Sequence, residues 1–233
     1  MSEQKRPAGA AARAALRPGT RREGDRELPA GPKATRTRAG LLRAAHDLFV
    51  ERGYLDTTVG QIVEAAGVSL GTFYQYFKDR ADVMMTLMAE HTAVAAASTS
   101  VGWKPDQGTE SLFGMVHSFV AWYADQAPFA KVWEEVCHVD ADVAELRRDV
   151  GRVFTDSVQR QLVKGARDGH LRPFTPASAD LAARALTGMV DRFCYVTYVF
   201  DPPEGGAPPP EEAARLLTDL WAAAVGLDGN GDG

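Results

Sequence analysis

Residues 57–80 read TTVGQIVEAAGVSLGTFYQYFKDR and predict two short helices joined by a tight turn. Thr58 followed three residues later by Gln61 forms a capping box, which marks the start of the first helix. Gly67 ends this helix, because glycine accepts the left-handed backbone that such a turn needs. A helix of about eight residues, a turn containing glycine and a second short helix together form the helix-turn-helix signature. The second helix of such a motif lies in the major groove of DNA.

The second helix is predicted to begin at Ser69, whose hydroxyl can cap it. Phe73 and Phe77 stand four residues apart and therefore share its buried side. Asp79 can cap a further helix, which we expect to run from about residue 80 to 98. A preceding helix over residues 36–52 places apolar residues at helical spacing and is expected to pack beneath the motif.

This stretch resembles the DNA-binding domain of TetR-like (tetracycline-repressor-like) transcriptional regulators. The matching positions are Thr58-Val59, Ala66-Gly67-Val68-Ser69, Thr72-Phe73-Tyr74, Phe77 and Asp79-Arg80. The likeness is dense over residues 36–90, and beyond them it is one of architecture only. By this resemblance, base and phosphate contacts come from Leu70, Gly71, Thr72, Tyr74 and Tyr76. It also implies that the DNA backbone is contacted by Thr58, Val59 and Arg80.

Two departures from the family pattern weaken direct base readout. Gly60 stands where many relatives have a longer polar side chain, and Leu70-Gly71 offers guanine no bidentate donor. Thr72 and Leu70 can still touch thymine methyl groups. We therefore expect DNA shape, or arginines of the N-terminal tail reaching the minor groove, to contribute to specificity. The alternative for the tail is a solvated segment without a DNA contact.

The charge of −5 is unevenly distributed. Residues 1–34 carry +4, residues 35–90 carry −1 and residues 91–233 carry −8, which suits a protein that presents one end to nucleic acid. No apolar run is long enough to span a membrane, and the N-terminus has no secretory signal pattern. The two cysteines, Cys137 and Cys194, are typical of a reducing compartment, so a cytoplasmic protein is expected.

The whole chain predicts an all-α fold with two helical domains. Residues 1–34 form a basic tail too poor in large apolar side chains to fold, and residues 229–233 form a second tail. Residues 35–90 are the predicted DNA-binding domain, and residues 91–228 are the predicted effector-binding and dimerisation domain. The latter contains apolar-striped helices at about 109–126, 128–137, 140–168, 178–200 and 210–226.

The last two of these helices are predicted to form a homodimer interface. Their apolar stripes are wide enough to be buried by a symmetric partner in a four-helix bundle, although packing within one chain is the alternative. Dimerisation would let two recognition helices bind the two halves of an inverted-repeat operator in double-stranded DNA.

The middle helices are rich in aromatic residues with few polar ones between them. An apolar cavity with a few polar groups is the usual form of a small-molecule site. We therefore predict a hydrophobic effector, although for any single one of these side chains plain core is the commoner case. The predicted pocket residues are Phe113, His117, Trp122, Tyr123, Trp133, Phe154 and Phe193.

The sequence contains no catalytic, metal-ligating or cofactor-binding motif, so neither an enzyme nor a cofactor or metal is expected. The predicted function is a ligand-responsive transcriptional regulator. Repression is the usual outcome in the family that the motif resembles, but an activator or ligand-independent regulator of the same fold stays open. The competing class is a helical interaction protein without DNA binding.

Overall fold

The computed structural model describes residues 29–98 and 102–227, with only the helical backbone over residues 92–98. In these ranges all regular structure is helical and no strand occurs, which confirms the all-α prediction. The predictions for most of the basic tail (residues 1–28), for residues 99–101 near the domain boundary and for the tail at 229–233 lie outside the described residues.

Nine α-helices are present in the described part of the chain. In order they are α1 (Pro32–Arg52), α2 (Val59–Ala66), α3 (Leu70–Tyr76), α4 (Arg80–Ser98), α5 (Gly108–Asp125), α6 (Ala127–Cys137), α7 (Ala141–Arg167), α8 (Pro176–Tyr195) and α9 (Pro210–Val225). A 3-10 turn at Pro105–Gln107 precedes α5, and a π-helical turn at Val196–Phe200 follows α8.

The chain divides into two compact units. The first contains the residues up to Ala93 together with Pro128–Arg148, which bring in α6 and the start of α7. The second contains Val94–Ala127 and the residues from Asp149 onward. Nothing in the sequence pattern indicated that Pro128–Arg148 groups with the N-terminal helices.

The core of the first unit is built from the apolar faces that helical spacing predicted. On α1 the predicted stripe is buried: Leu41, Leu42, Ala45, Leu48 and Phe49. On α4 the predicted inward residues are also buried: Val83, Met84, Leu87 and Met88. Ile62 of α2 is fully buried as well, and α2 packs against α1. These helices form the support on which the motif rests.

In the second unit, α9 packs along α5, and α8 also contacts α5. The rings of Trp103 and Trp221 meet edge to face in its core, with centroids 5.9 Å apart. Along α9 the predicted apolar stripe separates into two sides. Leu217, Trp221 and Val225 are buried, whereas Leu216 and Leu220 remain half exposed.

Candidate nucleic-acid interface

The capping box predicted at the start of α2 is confirmed. The Thr58 backbone N–H donates to Gln61 Oε1 at 2.7 Å, and the Gln61 backbone N–H donates to Thr58 Oγ1 at 3.3 Å. At the other end, Gly67 adopts φ 65° and ψ 34°, the left-handed backbone expected of it. Two local signals therefore set both ends of α2, which is eight residues long.

The start of α3 and the anchoring of its inner side are also as predicted. The Thr72 backbone N–H donates to Ser69 Oγ at 3.1 Å. Phe73 is fully buried, Phe77 is nearly so, and their ring centroids lie 5.8 Å apart. Phe77 is not part of the helix but the residue that follows it, with an extended backbone.

Seven of the eight residues predicted to contact DNA lie on α2 and α3 or, in the case of Thr58, at the N-cap of α2. Leu70 is 49% exposed and Tyr74 is 45% exposed, although they flank the fully buried Phe73. Gly71 and Thr58 are exposed as well. The three remaining residues of these two helices that were predicted to contact DNA are half-buried: Val59, Thr72 and Tyr76. Exposed aromatic and aliphatic side chains beside a buried anchor form a surface that can enter a groove.

Arg80, the eighth predicted contact residue, is engaged with the protein's own backbone. Its Nη1 donates to the carbonyl oxygens of Tyr54 at 2.6 Å, Leu55 at 3.0 Å and Thr57 at 2.6 Å. Its guanidinium carbon lies 4.1 Å from the centre of the Tyr54 ring. Sequence reasoning did not single out Tyr54, because the contact joins residues 26 positions apart.

Within the first unit, three rings join α1, α4 and α6. The centroids of His46 and His91 are 5.6 Å apart, and Phe129 lies 5.1 Å from His46 and 4.4 Å from His91. Burial, with a smaller contribution from the neighbouring His46, lowers the pKa of His91 from 6.5 to about 4, and Glu90 opposes the shift. Glu90 itself is paired with Arg38 of α1 at 2.9 Å.

We expect acid to destabilise the protein through His91. Between pH 6.5 and about 4 the unfolded chain binds a proton at His91 that the folded protein does not. The free energy of unfolding should therefore fall with pH through this window, by about 1–2 kcal/mol because the ring is partly exposed. Urea unfolding of His91→Phe across pH 4–7 should show a flatter dependence than the wild type. The exposed His170→Phe is the control, and an equal flattening there would contradict the assignment.

The seven residues predicted to line an effector pocket do not form one described cluster. Trp133 belongs to the first unit, where it is buried and Arg147 lies 5.7 Å from its ring centre. The other six belong to the second unit: Phe113, His117, Trp122, Tyr123, Phe154 and Phe193.

Within the second unit, four of these six residues pair along α5. Phe113 stacks on His117 with centroids 5.4 Å apart, and Trp122 meets Tyr123 edge to face at 6.1 Å. Arg215 of α9 lies 5.0 Å from the Phe113 ring centre. The other two residues of the set, Phe154 and Phe193, are half-buried.

The described part of the chain contains neither a membrane-spanning helix nor a metal-binding cluster. No helix there is both long and apolar enough to cross a membrane. Likewise, the described residues contain no group of three or more His, Cys, Asp or Glu side chains arranged to bind a metal ion.

The chain is similar to known regulators in sequence. Residues 41–85 match the family model described as "Bacterial regulatory proteins, tetR family". The regulator TtgR of Pseudomonas putida is 28% identical over 172 residues, which cover 70% of this chain and 78% of TtgR. The regulator TcmR of Streptomyces glaucescens is 42% identical over 66 residues, which cover 26% of this chain and less than a third (29%) of TcmR.

Solved structures share the fold over most of the chain. A TetR-family regulator from Syntrophomonas wolfei superposes with a TM-score of 0.66 at 19% identity, covering 84% of this chain and 99% of that one. A TetR-family regulatory protein from Rhodococcus gives a TM-score of 0.63 at 25% identity, covering 83% and 98%. The capped α2–α3 motif, the family model that matches across it and these neighbours agree: residues 41–85 form a DNA-binding domain of the TetR type, and the chain as a whole has the fold of TetR-family transcriptional regulators.

Proposed function

We propose that this regulator is a non-enzymatic repressor, which binds an inverted-repeat operator as a homodimer and leaves it when a hydrophobic small molecule binds. DNA binding is proposed from the structure of α3. In this helix Phe73 is buried and anchors it to the core, whereas Leu70 and Tyr74 are exposed. Repression is supported by a structural neighbour, SmeT of Stenotrophomonas maltophilia (TM-score 0.60, 22% identity), which is described as the repressor of a multidrug efflux pump. A repressor of chromosomal genes acts in the cytoplasm.

The proposed contact surface consists of seven residues: the N-cap of α2 and six residues on α2 and α3. They are Thr58, Val59, Leu70, Gly71, Thr72, Tyr74 and Tyr76. Hydroxyl groups among them suit phosphate oxygens, and Leu70 and the Thr72 methyl group suit thymine methyls. Because the set contains no bidentate donor for guanine, we propose that DNA shape supplies part of the specificity.

The DNA-binding proposal is tested by fluorescence anisotropy of the purified protein on DNA from its own promoter region. Binding is measured over a range of salt concentrations and against unrelated DNA of equal length. We expect competitor-resistant binding whose affinity falls steeply with salt, because each neutralised phosphate releases counterions. Weak and equal binding to both DNAs would contradict an operator in that region. No binding even at low salt would favour the helical interaction protein.

The dimer is proposed to form through α8, the π-helical turn and α9. Four large apolar side chains are exposed on these elements: Leu181 (68%), Phe200 (68%), Leu216 (53%) and Leu220 (50%). A symmetric partner would remove this apolar surface from water, and each half-site would then be read by one recognition helix.

We expect Leu220→Glu to dissociate the dimer. In a two-fold interface the substitution occurs on both chains, so two carboxylates would replace apolar contacts and the dissociation constant should rise about 100-fold or more. Sedimentation equilibrium at micromolar concentration measures this. Val139→Glu is the matched control, since Val139 is equally exposed (54%) but lies in the first unit. A monomeric wild type, or equal dissociation by both variants, would contradict the interface.

The effector is proposed to bind among aromatic side chains of the second unit, of which Phe113, Trp122, Phe154 and Phe193 are half-buried. Such side chains can cover a lipophilic molecule while His117 supplies a polar contact. Binding would shift the population toward a form with lower operator affinity. The test adds fatty acids and planar aromatic compounds to the protein–operator complex. Release of DNA together with a raised melting temperature supports the proposal, and a panel with neither effect contradicts it.

A further inference from the structure

The Arg80 side chain packs against an aromatic ring that belongs to the core of the first unit. Tyr54, over whose ring the guanidinium stacks, is only 5% exposed. The Tyr54 ring in turn packs against the fully buried Phe49 of α1, with centroids 5.4 Å apart. Burial raises the pKa of the Tyr54 hydroxyl, and the positive charge of the nearby Arg80 opposes that shift. The position of Arg80 is therefore set from below by packed aromatic rings.

What Arg80 binds is the loop of residues 53–58 between α1 and α2. Three of the loop's carbonyl oxygens accept from Arg80 Nη1, all outside any helix. A second set of contacts comes from the buried Thr57, whose hydroxyl donates to Gly53 O at 2.8 Å. The loop leads directly into Thr58, the N-cap of α2.

The positive charge of Arg80 lies at an unfavourable end of a helix. Arg80 is the first residue of α4, where the helix dipole disfavours positive charge. Carbonyl oxygens are partial negative charges, and the three that Arg80 contacts offset the dipole locally. The same contacts direct the charge toward the loop, so the guanidinium has a structural partner before any DNA arrives.

We propose that Arg80 is a positioning residue for DNA binding, which fixes loop 53–58 so that Thr58 and Val59 meet the DNA backbone, and that it is not itself a phosphate ligand. This rests on DNA binding by the α2–α3 motif. The two roles differ in what they require. A phosphate ligand requires positive charge near the DNA, whereas the positioning role requires the reach of arginine and its flat group over Tyr54.

The salt dependence of operator binding separates the two roles. Arg80→Gln is expected to weaken binding about tenfold or more while leaving the slope of log K against log salt unchanged. If Arg80 were a phosphate ligand, the magnitude of that slope would instead fall by about 0.9 for each phosphate that the variant no longer neutralises. Arg184→Gln, in the second unit, is the control for removing one positive charge. Affinities are compared below the melting transition of every variant, so that destabilisation alone does not change them.

Two further variants keep the test decisive if Arg80→Gln does not fold. Arg80→Lys retains the charge but is one bond shorter and cannot stack, so we expect it to bind more weakly than wild type. Tyr54→Leu removes the ring without changing any charge and should also weaken operator binding. Wild-type affinity in both variants, or a reduced salt slope in Arg80→Gln, would overturn the positioning role. A wild-type protein that binds no DNA would overturn the DNA-binding assignment itself, and the proposal with it.

Discussion

Replacing Phe73 by alanine is expected to lower the free energy of unfolding by about 3–5 kcal/mol. The ring is fully buried on the inner side of α3, where its centroid lies 5.8 Å from that of Phe77 and 5.4 Å from that of Tyr74. Its removal leaves a cavity that α3 cannot fill, because this helix has only seven residues and Phe73 is its one buried side chain. Urea unfolding followed by far-UV circular dichroism measures the change.

The neighbouring Tyr74→Ala is the matched control, since Tyr74 is 45% exposed and lies one position along the same helix. We expect its stability to stay within about 1 kcal/mol of wild type. Operator affinity should nevertheless fall about tenfold or more, because α3 then presents no aromatic ring to the DNA at this position. If Tyr74→Ala unfolds as easily as Phe73→Ala, or binds DNA normally, the proposed division of α3 into an anchoring side and a reading side is wrong.

Gly165→Ala is expected to destabilise the protein by about 1–3 kcal/mol, although alanine is the better helix former. Gly165 is buried within α7. A Cβ atom there would lie 2.7 Å from Leu171 Cδ1 and 2.8 Å from Pro105 Cβ. The leucine tip can rotate away, but the proline ring is rigid, so the backbone of α7 or of the 3-10 turn must move.

Gly151→Ala, in the same helix, should have the opposite sign. Gly151 is exposed, and nothing lies within 4 Å of the position that its Cβ would occupy. Alanine should therefore raise the free energy of unfolding by up to about 1 kcal/mol. Thermal unfolding of both variants under one condition compares them directly. Two stabilised variants would mean that α7 and the Pro105–Gln107 turn are less closely packed than the structure shows.

The ring cluster of His46, His91 and Phe129 connects the helices that support the motif to a later part of the chain. It joins α1 and α4, which support the motif, to α6, which follows α5 in the chain. The stability of the DNA-binding helices therefore depends on residues outside the predicted domain of residues 35–90. This dependence makes a fragment ending near residue 90 a poor substitute for the full chain in any of these experiments.

The sequence by itself determined the motif and its limits. The capping box of Thr58 and Gln61, the left-handed Gly67 and the cap at Ser69 each involve residues within about four positions of one another. Such hydrogen bonds depend on local backbone geometry and hardly on the rest of the fold. The buried stripes of α1 and α4 followed for a related reason, because helical spacing alone places their apolar residues on one side.

Only the tertiary structure decided how residues distant in the chain meet. Arg80 donates a hydrogen bond to the carbonyl oxygen of Tyr54, which lies 26 positions earlier in the chain. The sequence alone does not distinguish an arginine that binds DNA from one that holds a loop of its own protein. Similarly, α9 showed one wide apolar stripe, and packing against α5 buried Leu217 and Trp221 but left Leu216 and Leu220 exposed. Periodicity states which residues are apolar. Which of them one chain buries depends on where the neighbouring helix lies, and that is set by the packing of the whole unit.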